Sequence, residues 1–202
     1  MNSTCGVVAL GSVLSLLLAS QGCSAPSVGV GDPCTPEQEY DATFSGFDLF
    51  EVNIESKSLQ CATRVCLVNH FRGRVTCPYG QDAEGVAPSG QSGCVVPGTT
   101  TPIAPLRPTP HGDCVAAQCA DRTADDAVYC SCRCADAAGN KGDGSVYCDC
   151  PESFACVPLV SSIGGDNEGL TGSYCVKRGT EFAPTSSCTE SLDANDPSKC
   201  VQ

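Results

Sequence analysis

Eighteen cysteines stand in a chain of 202 residues, and they dominate the chemistry its side chains offer. Two uses compete for thiols at this density: metal coordination and disulfide bonding. The tightest groups are Cys130-Ser131-Cys132-Arg133-Cys134 and Cys148-Asp149-Cys150. Structural zinc sites favour C-x₂₋₄-C spacing with histidine, and C-x-C is a different spacing. The disulfide reading therefore leads, and it implies an oxidising compartment. No other chemistry is spelled out. His70 and His111 are the only histidines. H-E-x-x-H, G-x-S-x-G, G-x-G-x-x-G and the phosphate-loop pattern are all absent. Ser92 is flanked by glycine, but nothing in the sequence sets a base beside it. The expectation is a protein that is not an enzyme, with no catalytic residue and no resident cofactor or metal.

Charge narrows the partners. Asp and Glu number 23 against 11 Lys and Arg, a net charge of −12. Nucleic-acid binding wants a basic face and is not expected. Calcium remains an option in the glycine-rich turns, through Asp136, Asn140 and Asp143, or Asp166, Asn167 and Glu168. Neither stretch has the D-x-D-x-D-G order, and solvated turn acids are the plainer reading. Against this acidity stands one basic island, Arg64, His70, Arg72 and Arg74. With Phe71, the residues His70, Arg72 and Arg74 form the candidate recognition loop, because exposed loop tips often carry function.

The elements that must hold these residues begin with an apolar run at residues 7–19, VVALGSVLSLLLA. Thirteen residues fit a secretory h-region and fall short of the ~20 that a membrane span needs. Residues 1–22 are therefore expected to be a signal peptide. The run ends at Ser20-Gln21-Gly22-Cys23, which resembles the lipobox of bacterial lipoproteins: a small residue, here Gly22, precedes the cysteine. That resemblance implies lipidation of Cys23, cleavage before it and a membrane anchor. In style the chain is similar to the cysteine-rich outer-membrane and surface lipoproteins of Gram-negative bacteria. The alternative is ordinary cleavage and a soluble secreted chain. Parity favours the lipid: removing Cys5 and Cys23 from 18 leaves 16, an even number that permits eight bridges.

Residues 23–33 read as a flexible tether, 34–97 as a cysteine-rich β subdomain, 98–110 as a Thr/Pro-rich connector, and 111–202 as a second, cysteine-rich hairpin subdomain. The first subdomain holds five cysteines and the second eleven. Both numbers are odd, so full pairing requires a bridge across the connector. Within the first, Phe50–Glu55 alternates apolar and polar as a half-buried strand does. Residues 64–68 and 74–77 look like two more strands, joined at 69–73. In the second, Val128-Tyr-Cys-Ser-Cys132 echoes Val146-Tyr-Cys-Asp-Cys150. A hairpin turning at Asn140 sets Cys130 against Cys150, Cys132 against Cys148 and Arg133 against Tyr147. Those four are the candidate cross-strand disulfide cysteines. Strand-like pieces follow at 157–160 and 173–176. Short helices are possible at 36–42 and 192–198.

The predicted fold class is small, disulfide-rich, mostly β and coil, with short antiparallel hairpins in two cysteine-rich subdomains and little helix. The expected function is non-enzymatic: an exported lipoprotein of the cell envelope or surface, structural or macromolecule-binding, contacting the membrane through its lipid and an unidentified protein or glycan. The alternative is a secreted, disulfide-stapled effector or enzyme inhibitor.

Overall fold

A computed structural model describes residues 29–82, 84–103, 114–160 and 170–188. The signal segment, Cys23, His111, the 166–168 acids, Cys200 and the possible helix at 192–198 lie outside these residues. The described chain is mostly β and coil, built on two small antiparallel sheets. The first sheet has the order β1-β2-β3, from Val52–Glu55, Val65–Asn69 and Val128–Ser131. The second has the order β4-β6-β5, from Arg133–Ala135, Gly172–Lys177 and Phe154–Val160. The helical elements include a 3₁₀ turn at Glu37–Tyr40 and one α turn, α1, at Ala124–Ala127.

Period-2 alternation builds the first sheet. On β2, Cys66 and Val68 face one core together with Phe47, Phe71, Val128 and Cys130. Leu67 faces the other core with Tyr129, Phe154, Cys175 and Val176. β2 is thus a central strand covered on both faces, which is why Val65–Val68 reads as an apolar run. Its neighbours come from both sides of the connector: β1 sets Ile54 against Leu67, and β3 sets Cys66 against Cys130. The outer edge of β3 is covered in turn. Gly31 N–H donates to the Cys130 carbonyl at 2.8 Å, Cys130 N–H donates to the Asp32 carbonyl at 2.7 Å, and Pro33 bridges Tyr129. A proline on that edge ends the hydrogen-bond ladder.

The two sheets meet at Cys132. Between β3 and β4 the chain leaves one sheet for the other. Cys175 on β6 donates its backbone N–H to the Cys132 carbonyl at 3.1 Å, and the Ser131 hydroxyl donates to the Cys175 carbonyl at 2.8 Å. This bend corrects the expected hairpin. With β2 and residues 31–33 on its two edges, β3 has no edge left for Val146–Cys150. That segment keeps one backbone bond to β4, Cys148 N–H to Arg133 carbonyl at 3.0 Å. The cysteines 130, 132, 148 and 150 do not share one face. The second expected hairpin, 64–68 with 74–77, is also replaced: β2 pairs with β1, and Arg74 bridges only its near neighbour Cys77.

A third core gathers Cys77, Cys94, Val96, Ile103 and Val115. Two glycines let the strand-like segment 114–117 close over residues 73–81. Gly73 and Gly80 have φ of 85° and 67°. A Cβ on either would lie 2.2 Å from a carbonyl oxygen, of Ala116 or Val115 respectively.

Disulfides staple these parts. Among the described residues the bridges are Cys34–Cys66, Cys61–Cys130, Cys77–Cys94, Cys119–Cys188, Cys132–Cys148, Cys134–Cys156 and Cys150–Cys175, and Cys114 is disulfide-bonded as well. Cys61–Cys130 joins the residues before the connector to those after it. Bridges of this kind typically add about 2–4 kcal/mol each by restricting the unfolded chain. That contribution suits a chain with no tryptophan and 5% aromatics.

Candidate functional site

The basic island is not an exposed tip. Phe71 is fully buried in the first core, and Arg74 is fully buried beside it. The physical reason lies about 35 residues earlier in the chain, in the Glu39 of the 3₁₀ turn. Its buried carboxylate meets Arg74 Nε at 3.3 Å, accepts from the Val75 N–H at 2.8 Å and accepts from the Thr76 hydroxyl at 2.6 Å. Arg74 also donates to the carbonyls of Phe44 at 2.5 Å, Asp41 at 3.2 Å and Glu39. A buried charge of this kind persists only when paired and hydrogen-bonded. Burial still pulls the Arg74 pKa down, and the Glu39 charge opposes that pull. Arg72 is half-buried and donates to the Ala117 carbonyl at 2.9 Å. Arg64 stays exposed at φ 64°.

His70 is the one member of the loop that faces a surface cluster. Its ring stacks on Phe182 with centroids 4.1 Å apart and planes 7° from parallel. Phe50, 65% exposed, meets the same Phe182 edge-on at 5.8 Å. Arg122 lies over the same Phe182 ring at 5.5 Å and ties the 69–70 segment to Thr180. It donates to the carbonyls of Thr180 at 2.7 Å, Asn69 at 2.5 Å and His70. His70 Nδ1 lies 3.1 Å from the Leu49 carbonyl. Burial holds the His70 pKa below its ordinary value; the Leu49 bond opposes this and the Arg122 charge adds to it. Sequence reasoning missed Arg122, Phe50 and Phe182. No spacing links these three; only the fold brings them together.

The remaining candidates resolve into local structure. Ser92 is exposed, just after a turn. Asp136 accepts backbone N–H groups of Ala138 at 2.8 Å and Asn140 at 2.7 Å. Asp143 accepts from Ser145 N–H at 2.9 Å and the Tyr147 hydroxyl at 2.6 Å. Those bonds lower the pKa of each carboxyl, led by Asn140 for Asp136 and Tyr147 for Asp143. Both act as turn caps, bonding to the chain within their own loops. Arg133 lies over the Tyr147 ring at 5.3 Å.

The second concentration of chemistry is sulfur. In the core between the sheets, the sulfurs of Cys132, Cys148 and Cys175 lie within 4.8 Å of one another, as do those of Cys134, Cys150 and Cys156. The Cys150–Cys175 bond joins the two trios. The candidate cross-strand cysteines are therefore divided: Cys132 bonds Cys148, Cys130 bonds Cys61 and Cys150 bonds Cys175. All these sulfurs are spent in disulfides, so the trios describe contact between bridges rather than a thiolate cage.

No family model matches the chain, and neither a curated protein nor a solved structure matches it.

Proposed function

We propose that this protein is an exported, non-enzymatic component of a bacterial cell envelope or surface, anchored through lipid on Cys23, that acts by structural contact with another macromolecule. The observation that carries this reading is the disulfide framework, which belongs to an oxidising compartment. The Gly22-Cys23 junction after a 13-residue apolar run supports the anchor. Among the described residues no helix is long and apolar enough to cross a membrane. The contact face is the aromatic cluster around Phe50, since a large exposed aromatic ring over a packed stack is the kind of group that anchors interfaces. The partner is a protein or glycan, and the acidic surface disfavours nucleic acid.

Fractionation of the producing cells tests the reading. Recovery with membranes, lost on changing Cys23→Ser, supports it. Recovery of the unmodified chain in the culture medium contradicts it and favours the secreted effector or inhibitor instead.

A further inference from the structure

Three disulfides on the second sheet form a continuous line of sulfur from the surface to the core. At the outer end is Cys134–Cys156, on β4 and β5. Cys156 is the one cysteine among the described residues that is exposed; Cys134 is buried. Next comes Cys150–Cys175, whose Cys150 sulfur lies within 4.8 Å of both Cys134 and Cys156. Innermost is Cys132–Cys148. Cys175 Sγ stands 3.6 Å from Cys132 Sγ and 3.7 Å from Cys148 Sγ. Thiolate attack on a disulfide needs access and a sulfur held near the bond to be broken. Each junction along this line meets the second requirement, and the outer end meets the first. The other close trio, Cys34, Cys61 and Cys130, has no such outlet, because those three and Cys66 are all buried.

We propose that Cys134–Cys156, Cys150–Cys175 and Cys132–Cys148 form a thiol–disulfide exchange relay, through which a dithiol at the surface delivers one pair of electrons to the buried core. The dithiol's thiolate attacks Cys156 Sγ; the Cys134–Cys156 bond breaks and Cys134 leaves as thiolate. Cys134 attacks Cys150 Sγ, forming Cys134–Cys150 and releasing Cys175. Cys175 attacks Cys132 or Cys148, forming one new bond and releasing the other sulfur as thiolate. The dithiol's second thiol then closes its own disulfide and frees Cys156, and the released thiolates take up the protons of the dithiol. Two electrons have entered, one dithiol has been oxidised, and three bridges have become two bridges and two thiols. Each internal step exchanges one disulfide for another, so no further oxidant or reductant is needed along the line. The relay does not depend on lipid attachment at Cys23.

The test is partial reduction of the native, full protein with one equivalent of dithiothreitol, acid quench, alkylation and peptide mapping without further reduction. The relay predicts alkyl labels on Cys156 and on Cys132 or Cys148, together with a new Cys134–Cys150 cross-linked peptide. Labels confined to Cys134 and Cys156, with both inner bridges intact, overturn it. Labels on Cys156 and Cys175 with Cys132–Cys148 intact overturn passage into the core. A first label outside these six cysteines overturns the role of Cys156 as the outlet.

Discussion

Cys175 Sγ lies 3.6 Å from Cys132 Sγ, although each is bonded to a different cysteine. The backbone repeats the contact, with Cys175 N–H donating to the Cys132 carbonyl at 3.1 Å. This junction is where the chain passes from the first sheet to the second. It also ties β6, far along the sequence, to the bend after β3. Here bridge packs against bridge within a core that also holds Leu67, Tyr129, Phe154 and Val176.

Removing the bridge that spans the connector should cost more than removing a local one. Cys61–Cys130 closes a separation of 69 residues and Cys132–Cys148 one of 16. The double change Cys61→Ser with Cys130→Ser is expected to lower unfolding free energy by up to about 4 kcal/mol, and Cys132→Ser with Cys148→Ser by about 3 kcal/mol. Denaturant midpoints of the two double variants give the comparison.

The Glu39–Arg74 pair is fully buried on both sides. Breaking one partner leaves an unpaired charge, so Glu39→Gln is expected to destabilise by about 3–5 kcal/mol. Adding Arg74→Met to Glu39→Gln should restore part of that loss. A double-mutant cycle by urea unfolding checks it, and additive losses would contradict the pairing.

The His70 stack predicts a pH dependence. Burial lowers the His70 pKa from 6.5 in the folded protein, so the unfolded chain binds the proton more readily. Its contribution is complete above the unfolded value and declines as pH falls below 6.5 toward the lowered folded value. Stability measured across this range should fall more steeply with acid in the native protein than in His70→Gln. Parallel curves would count against a lowered pKa for the half-buried imidazole.

Gly73→Ala and Gly80→Ala each place a Cβ 2.2 Å from a carbonyl oxygen at positive φ. Either change is expected to cost more than about 1 kcal/mol and to loosen residues 114–117 from 73–81. Thermal midpoints report the cost. Faster hydrogen exchange at Val115, whose N–H donates to Gln81 at 3.0 Å, reports the loosening.

Local pattern carried much of the β structure. The alternation around Val52–Glu55, the apolar run at Val65–Val68, and the pieces at 157–160 and 173–176 all fall in strands. Strand partners were not legible in the same way. The V-Y-C-x-C echo points to a local hairpin, yet β3 pairs with β2 from sixty residues earlier, because Cys130 is held by Cys61 and the bend at Cys132 sends the rest of the motif to the other sheet. The basic island failed as a surface for a related reason. Arg74 and Phe71 look exposed in isolation, and only Glu39, from a distant 3₁₀ turn, supplies the charge that lets Arg74 be buried. Cysteine parity is a global property of the sequence, and it bears on architecture without fixing a single pair.

The most direct measurement is the intact mass of the native protein, unreduced and treated with a thiol-alkylating reagent under denaturing conditions. The predicted result is a chain beginning at Cys23 with an acyl-bearing mass on that residue, two hydrogens missing for each bridge, and no alkyl group added. Alkylated cysteines, or an intact N-terminus with unmodified Cys23, would contradict the disulfide-stapled, lipid-anchored protein proposed above.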